Sequence, residues 1–403
     1  MPEALVLDYV RTPRGKASPK GSLHSRTPID LVVHLQQALV ERTGLDPSTV
    51  EDVTLGCASQ VDEQGGNIAR TAALLAGWGD DVAGATTNRF CASGVDAVGQ
   101  TAARLRAGDL RLGVAGGVES VSRVPMFVDR GPLWSDPATV AQIGSVHMGI
   151  AADLNATLEG FTREELDAYG LETQQKAAAA HAAGVFGGSL VPVPPSESSP
   201  GLDHDELVRA GTTAETLAGL PPAFAELGGQ GQDAIALGAY PVVDRIEHLH
   251  TVGTSPAMAD GAALLLLGDA DAAERAGLRP RARVLGAATT SVNPVLMLTA
   301  GQSAVETVIA RAGLRPADID VFEFAEAFSA LCLRFRRDLD AGPERMNPNG
   351  GTMAMGHAFG ATGAILVGSC VEELERRDGR YGVAAVSGAA GLGVAVLVER
   401  IAA

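Results

Sequence analysis

Cysteine is scarce in this chain: Cys57, Cys91, Cys332 and Cys370 are the only four in 403 residues, and no two form a CxxC pair. That spacing is neither a zinc pattern nor a secreted disulfide framework, so no metal site is expected, and free thiols in a reducing cytosol are. Aromatic residues are also few, at 4%. No stretch of about 18 uninterrupted apolar residues occurs, which argues against a membrane span. The opening MPEALVLDYVRTPRG carries an early Glu and Asp and too short an apolar run for a secretory signal, so a cytoplasmic location is expected. Positive charge is in the minority: 31 Lys and Arg stand against 48 Asp and Glu, for a net charge of −17. Nucleic-acid binding relies on Lys and Arg neutralising phosphates, so that partner is excluded. A small anionic ligand stays open, because a local basic patch can survive in an acidic protein.

Glycine, by contrast, is abundant at 49, and hydrophobic residues reach 46%, enough for a sizeable core with many tight turns and close backbone approaches. The length suggests two or three domains. Three zones follow from the pattern. Over about 1–120, short apolar strands (Ala4–Leu7, Val53–Gly56, Leu112–Ala115) alternate with helical stretches such as Ile29 to Arg42. This alternation predicts an α/β fold with parallel strands covered on both faces. The middle, about 121–250, is irregular: it has the Pro-rich run Val191–Pro195, a charged helix start at Thr162–Glu165 and an Ala-rich run from Lys176 to Ala183. Long irregular insertions of this kind usually carry binding function. The last zone echoes the first. Asp318–Phe324 parallels Val50–Gly56, a Gly-rich turn leads into a helix in each, and each closes on a glycine-laced strand. The chain therefore reads as one unit built twice. The expected division is 1–120 plus 251–270, an inserted 121–250, and 271–403.

Cys91 opens a helical pattern, with Val95, Val98, Ala102 and Leu105 at helical spacing and Gly108 as a stop. A thiol at a helix N-terminus faces unpaired N–H groups and the positive end of the dipole, which favour a thiolate nucleophile. Taken alone, the same residue reads more readily as a small buried hydrophobe.

Several segments resemble one family. Asn88-Arg89-Phe90-Cys91-Ala92-Ser93-Gly94, Ala115–Ser120, His147-Met148-Gly149, Asn347-Pro348-Asn349-Gly350-Gly351 and Gly356-His357 are similar to the motifs of thiolases, in the family's order. Arg11–Lys16 and Gln174–Ala178 are similar as well. Thiolases are acyl-CoA acyltransferases that make or cleave 3-ketoacyl thioesters. The resemblance implies two βαβαβαββ halves, each with a five-stranded sheet, packed as a five-layered α/β sandwich with an inserted loop domain. It also implies homodimers or homotetramers. By resemblance Cys91 accepts the acyl group, His357 is its base, and the backbone N–H groups of Cys91 and Ala389 stabilise the oxyanion. His357 precedes an apolar helix, where an imidazole is held neutral as a base requires. A histidine merely satisfied in a turn is the alternative. His147 and Met148 match acyl-pocket positions, and either could equally be packing. No cofactor is implied beyond a CoA or carrier-protein thioester as substrate.

Departures from the family are as informative as the matches. The second reactive cysteine of thiolases is here Ser387, whose hydroxyl is a far weaker acid than a thiol of pKa about 8.5. The Asn of the family's Asn-Glu-Ala-Phe motif is here Ala325, followed by Glu326, Ala327 and Phe328. Glu326 reads as a structural carboxylate or as a replacement base. A basic residue expected before Pro-Ala-Phe is absent in Gly219–Phe224, and the pantetheine-contacting segment reads Gly253-Thr254-Ser255-Pro256-Ala257. Arg209 could compensate, or be solvated surface. The expected function is acyl transfer through acyl-Cys91, with thiolysis and Claisen condensation impaired or redirected to another acceptor. The alternatives are an active degradative 3-ketoacyl-CoA thiolase and a non-catalytic partner subunit of the same fold.

Overall fold

The computed structural model describes residues 2–197 and 199–402. The strands are β1 (Leu5–Arg11), β2 (Gly15–Lys16), β3 (Asp52–Gly56), β4 (Ala83–Thr87), β5 (Leu112–Ser120), β6 (Ala259–Gly268), β7 (Ala282–Ser291), β8 (Val321–Phe324), β9 (Tyr381–Gly388) and β10 (Leu392–Arg400). They are ordered β4-β3-β5-β6-β1 in the first half and β7-β10-β9-β8 in the second, with β2 beside β6. The halves meet edge to edge where Leu5 pairs with Arg283 and Val6 with Ala282.

The repeat is explicit in the order of elements. In the first half β1, helix Pro28–Thr43, β3, helix Ile68–Leu75, β4, helix Ser93–Ala107, β5 and β6 follow one another. In the second, β7, helix Ala300–Arg311, β8, helix Ser329–Leu339, a parallel bridge from Met346 to Phe322, helix Phe359–Arg376, β9 and β10 repeat that order. The bridge at Met346 stands where β4 stands in the first half. It does not lengthen into a strand because Pro348, two residues on, has no N–H to donate to a ladder. The second half thus has four strands and a single bridge in place of the five strands expected.

Burial patterns explain the layers. On β1 Leu5 and Leu7 face the outer helices while Val6 and Tyr9 face inward; a register shift between Val6 and Asp8 moves the alternation by one residue, which puts Tyr9 on the same face as Val6. The outward core of the first half packs Leu31, Leu35 and Leu39 of helix Pro28–Thr43 onto Val53, Leu55, Val114 and Leu264. The outward core of the second packs Val305, Ile309 and Phe335 onto Phe322, Phe324 and Leu397. Between the two sheets lie helices Ser93–Ala107 and Phe359–Arg376, through Val95, Val98, Ile365 and Val371. Helix, sheet, helix, sheet, helix gives five layers. Each fully buried aliphatic side chain here contributes roughly 1.5–3 kcal/mol.

The two central helices touch backbone to backbone at their N-terminal turns. A Cβ on Gly94 would lie 2.4 Å from the Gly360 carbonyl oxygen, and one on Gly363 would lie 2.2 Å from the Val95 nitrogen. Only glycine allows this approach. The segment between β5 and β6 carries helices Met148–Glu159 and Arg163–Ala182 and folds over this junction. Among the described residues no helix is long and apolar enough to cross a membrane.

Candidate active site

Cys91 and His357 occupy matching places in the two repeats, each two residues ahead of a central helix. Because those helices meet at Gly94, Gly360 and Gly363, the two side chains are carried to one place. Both line a cavity of about 240 Å³, together with Ser387 and Ala389.

The turn before Cys91 is strained and cross-braced. Phe90 has φ of 53°, a left-handed conformation that a bulky side chain rarely adopts. The Asn88 Oδ1 accepts from the Phe90 N–H (2.8 Å) and its amide donates to the Ala58 carbonyl (3.0 Å). The Ser93 hydroxyl accepts from the Arg89 N–H (2.8 Å) and donates to the Phe90 carbonyl (2.6 Å). Across from it, a Cβ on Gly388 would stand 2.9 Å from the Arg89 carbonyl oxygen, so the Cys91 turn and the Gly388–Ala389 turn are in close contact. Ala389 is the first residue of the turn Ala389–Gly391, a position whose N–H has no acceptor within its own turn.

One expectation about ionisation needs correction. The helix starts at Ser93, with Ala92 as its cap, so Cys91 lies outside the first turn. Burial, reinforced by the nearby Glu119 carboxylate, pushes its thiol up to about 12, although its own N–H works in the opposite direction. Cys91 therefore rests as a thiol, with desolvation the dominant cause. His357 is neutral as expected, but for a different reason. Burial first, and then the Arg14 guanidinium, lower it to about 4. Its Nδ1 is 2.8 Å from the Thr362 hydroxyl, which leaves Nε2 as the other ring nitrogen. Arg14 donates to the Gly356 carbonyl at 3.1 Å, directly behind the imidazole.

Ser387 reaches the cavity wall with its hydroxyl already engaged. It donates to the Leu298 carbonyl (2.7 Å) and accepts from the Gly301 N–H (3.0 Å), tying β9 to the start of helix Ala300–Arg311. His147, Met148, Ser255 and Phe328 also line the cavity. The His147 Nδ1 accepts from the Gly149 N–H (3.1 Å), so in the neutral ring Nε2 carries the hydrogen. Burial lowers its pKa. The Ser255 hydroxyl donates to the Thr251 carbonyl at 2.7 Å.

Glu326 and Ala325 are not among the residues lining the cavity. Glu326 is 1% exposed, and its carboxylate accepts from Tyr169 (2.8 Å), Thr173 (2.9 Å), Asn347 (3.2 Å) and the Met353 N–H (3.0 Å). Of its two readings, the geometry supports a structural carboxylate, which fastens the inserted segment to the loop that carries His357. Ala325 packs in the central core.

Sequence reasoning passed over Glu119. It sits at the end of β5, fully buried, and accepts from the N–H groups of Ala58 (2.8 Å), Ser59 (3.1 Å) and Gly360 (2.9 Å) and from the Gln64 amide (2.6 Å). It therefore joins β5 to the first turn of helix Phe359–Arg376, just after His357. Burial raises its pKa against these bonds. The available signal was a carboxylate inside an otherwise apolar, glycine-laced strand. Also missed were the cavity residues Met126, Met258 and Met297, which no motif marks.

Chemically, the arrangement offers a thiol, a neutral imidazole, and two backbone donors around one largely apolar space. Two family models match the chain: "Thiolase, N-terminal domain" over residues 4–231 and "Thiolase, C-terminal domain" over 278–400. The chain is 36% identical to a 3-oxoadipyl-CoA/3-oxo-5,6-dehydrosuberyl-CoA thiolase of Escherichia coli strain K12, with 100% of both chains covered. It is equally 36% identical to a 3-ketoacyl-CoA thiolase of Colwellia psychrerythraea, again over 100% of both. A beta-ketoadipyl-CoA thiolase of Pseudomonas aeruginosa is 37% identical over 99% of each. The crystal structure of the Bacillus anthracis acetyl-CoA acetyltransferase superposes with a TM-score of 0.86 at 32% identity, covering 100% of this chain and 99% of that one.

Proposed function

This chain belongs to the thiolase family of acyl-CoA acyltransferases, and we propose that it works by loading an acyl group onto Cys91 with His357 as base. The single observation that carries this reading is the cavity shared by Cys91, His357 and Ala389. In the first step Nε2 of neutral His357 takes the thiol proton as Sγ attacks the thioester carbonyl carbon. The carbonyl oxygen gains the electron pair and sits between the N–H groups of Cys91 and Ala389. Donors aimed in this way are worth about 3–4 kcal/mol of barrier each. Collapse of the intermediate expels the CoA thiolate, which recovers the proton from the imidazolium. Acyl-Cys91 and free CoA thiol remain.

The second half-reaction is where this chain differs from its family. A carbon nucleophile requires a base for the second acyl group. Ser387 stands at the position of that base with its proton committed to the Leu298 carbonyl. Loss of a positioned acid or base typically costs about 10²–10⁴ in rate. Thiolysis and condensation are therefore slowed, and acyl-Cys91 is left for another acceptor. The names of the relatives favour the second reading, a competent 3-ketoacyl-CoA thiolase.

One experiment separates the two. Incubation with hexanoyl-CoA should add the acyl mass to Cys91, and the adduct should vanish in Cys91→Ala. Thiolysis of a 3-ketoacyl-CoA should be slow and rise in the variant Ser387→Cys. Rapid wild-type thiolysis would establish the second reading, and absence of any adduct across acyl-CoA chain lengths would refute the first.

A further inference from the structure

The acyl-enzyme reading leaves open which acyl group is carried, and the walls around Cys91 bear on that. The chain is poor in aromatics and has eight methionines, yet four of those, Met126, Met148, Met258 and Met297, line the one cavity beside Cys91. Phe224, Phe328 and Phe359 complete its apolar wall. A second chamber of about 260 Å³ shares His147, Met148, Met297 and Ala389 with the first and continues past Leu133, Trp134 and Val140. Methionine side chains adapt their shape and suit a ligand of variable or bulky outline.

Among the described residues no Asp, Glu, Lys or Arg lines either chamber. Arg89, two residues from Cys91, is paired with Asp96 at 2.8 Å. A smaller recess beside Cys91 is walled by Phe90, Phe127 and Trp134, with ring centroids 5.9 Å apart for Phe90–Trp134 and 5.0 Å for Phe127–Trp134. Its one charged residue is Asp129, whose Oδ1 accepts from the indole N–H of Trp134 at 3.1 Å. This wall is held in place under strain: Phe90, Phe127, Met297 and Ala390 all have positive φ, between 48° and 70°. Such conformations persist only where the surroundings enforce them.

We propose that the acyl group accepted here is neutral and apolar, of six carbons or more, and that acyl groups ending in a carboxylate are rejected. The inference rests on the acyl-Cys91 reading for its site, and it sets this chain apart from the relatives named for 3-oxoadipyl and beta-ketoadipyl thioesters. A terminal carboxylate entering either chamber would lose its water and meet no cation, and in the smaller recess it would also face Asp129. A buried charge without a partner is strongly disfavoured. A methyl-ended chain of equal length loses nothing comparable.

Hexanoyl-CoA and adipyl-CoA have the same chain length and differ only at the far end, so they isolate this term. Calorimetric binding to the Cys91→Ala variant needs no chemistry. Hexanoyl-CoA should bind at least 100-fold more tightly than adipyl-CoA, and decanoyl-CoA at least as tightly as hexanoyl-CoA. In Leu133→Arg, which sets a cation on the second chamber's wall, the preference should narrow at least tenfold. Should that variant misfold, Asp129→Asn should narrow it at least threefold. Equal binding of hexanoyl-CoA and adipyl-CoA, or a preference for adipyl-CoA, overturns the inference. Acyl loading of wild-type Cys91 is read separately by mass. Absence of every adduct with the binding preference intact overturns the acyl-enzyme mechanism and leaves the pocket's selectivity standing.

Discussion

Alkylation by iodoacetamide tests the resting state of the Cys91 thiol. Burial and the Glu119 carboxylate hold the thiol at about 12, against about 8.5 for a free cysteine. Only the thiolate reacts. At pH 7.5 a thiol of pKa about 12 is ionised to roughly 3 parts in 100,000 and an ordinary one to roughly one part in ten, a ratio of roughly three thousand. A more basic thiolate is intrinsically more nucleophilic, with a Brønsted slope of about 0.4–0.5, which returns roughly one and a half powers of ten. The net expectation is alkylation roughly a hundredfold slower than for a free thiol at pH 7.5, rising close to tenfold per pH unit with no plateau below pH about 10. Peptide mapping assigns the label, since Cys57, Cys332 and Cys370 are buried. Glu119→Gln should speed the reaction, because it removes the neighbouring negative charge. His357→Asn should barely change alkylation while it slows acyl loading by about 10²–10⁴. A rate that is fast and flat between pH 6 and 8 would mean a resting thiolate–imidazolium pair and would refute the account of burial given above.

Three further outcomes are expected. His357, lowered to about 4 by burial and Arg14, stays neutral above that value, so acyl loading should show no acid limb from it until pH falls below about 5; a limb near pH 6.5 in stopped-flow acylation would contradict this. Glu323 in β8 is raised by burial, and by Glu373 and Glu326, to about 8. A raised carboxyl contributes stability below its unfolded value, and that contribution is lost as pH rises through the folded one. Glu323→Gln should therefore raise Tm at pH 8.5 by several degrees and change it little at pH 4.5, and equal shifts at both would count against it. Ser387→Ala and Glu326→Ala both strip buried hydrogen bonds and should destabilise in urea by about 1–3 kcal/mol and by about 3 kcal/mol or more, respectively. Glu326→Ala should still acylate Cys91 per folded molecule; loss of acylation in fully folded protein would make Glu326 part of the chemistry.

Much of the fold was legible because it depends on repeated, local signals. The apolar strands, the helix after Cys91 and the echo at Asp318–Phe324 all appear as strand or helix, in an order that repeats. Cys91 and His357 were singled out by their resemblance to thiolase motifs, since taken alone Cys91 reads as a small buried hydrophobe. What escaped notice depends on three-dimensional enclosure. The helix dipole suggested a thiolate, but desolvation and Glu119, twenty-eight residues on in sequence and adjacent only in space, reverse the sign at Cys91. Glu326 sits next to a motif position, and its hydrogen bonds come from Tyr169, Thr173 and Asn347 on distant segments, which no spacing rule brings together. The methionine wall was invisible because Met126, Met258 and Met297 lie in segments without periodic pattern.

The contact between the two central helices has a consequence for how competence is inherited. One repeat supplies Cys91 and the other His357, so under the proposed mechanism neither half alone holds both reacting groups. Their alignment is set by places where side chains are missing, at Gly94, Gly360 and Gly363. A methyl group at any of these would wedge the halves apart and part Cys91 from His357 without altering either side chain.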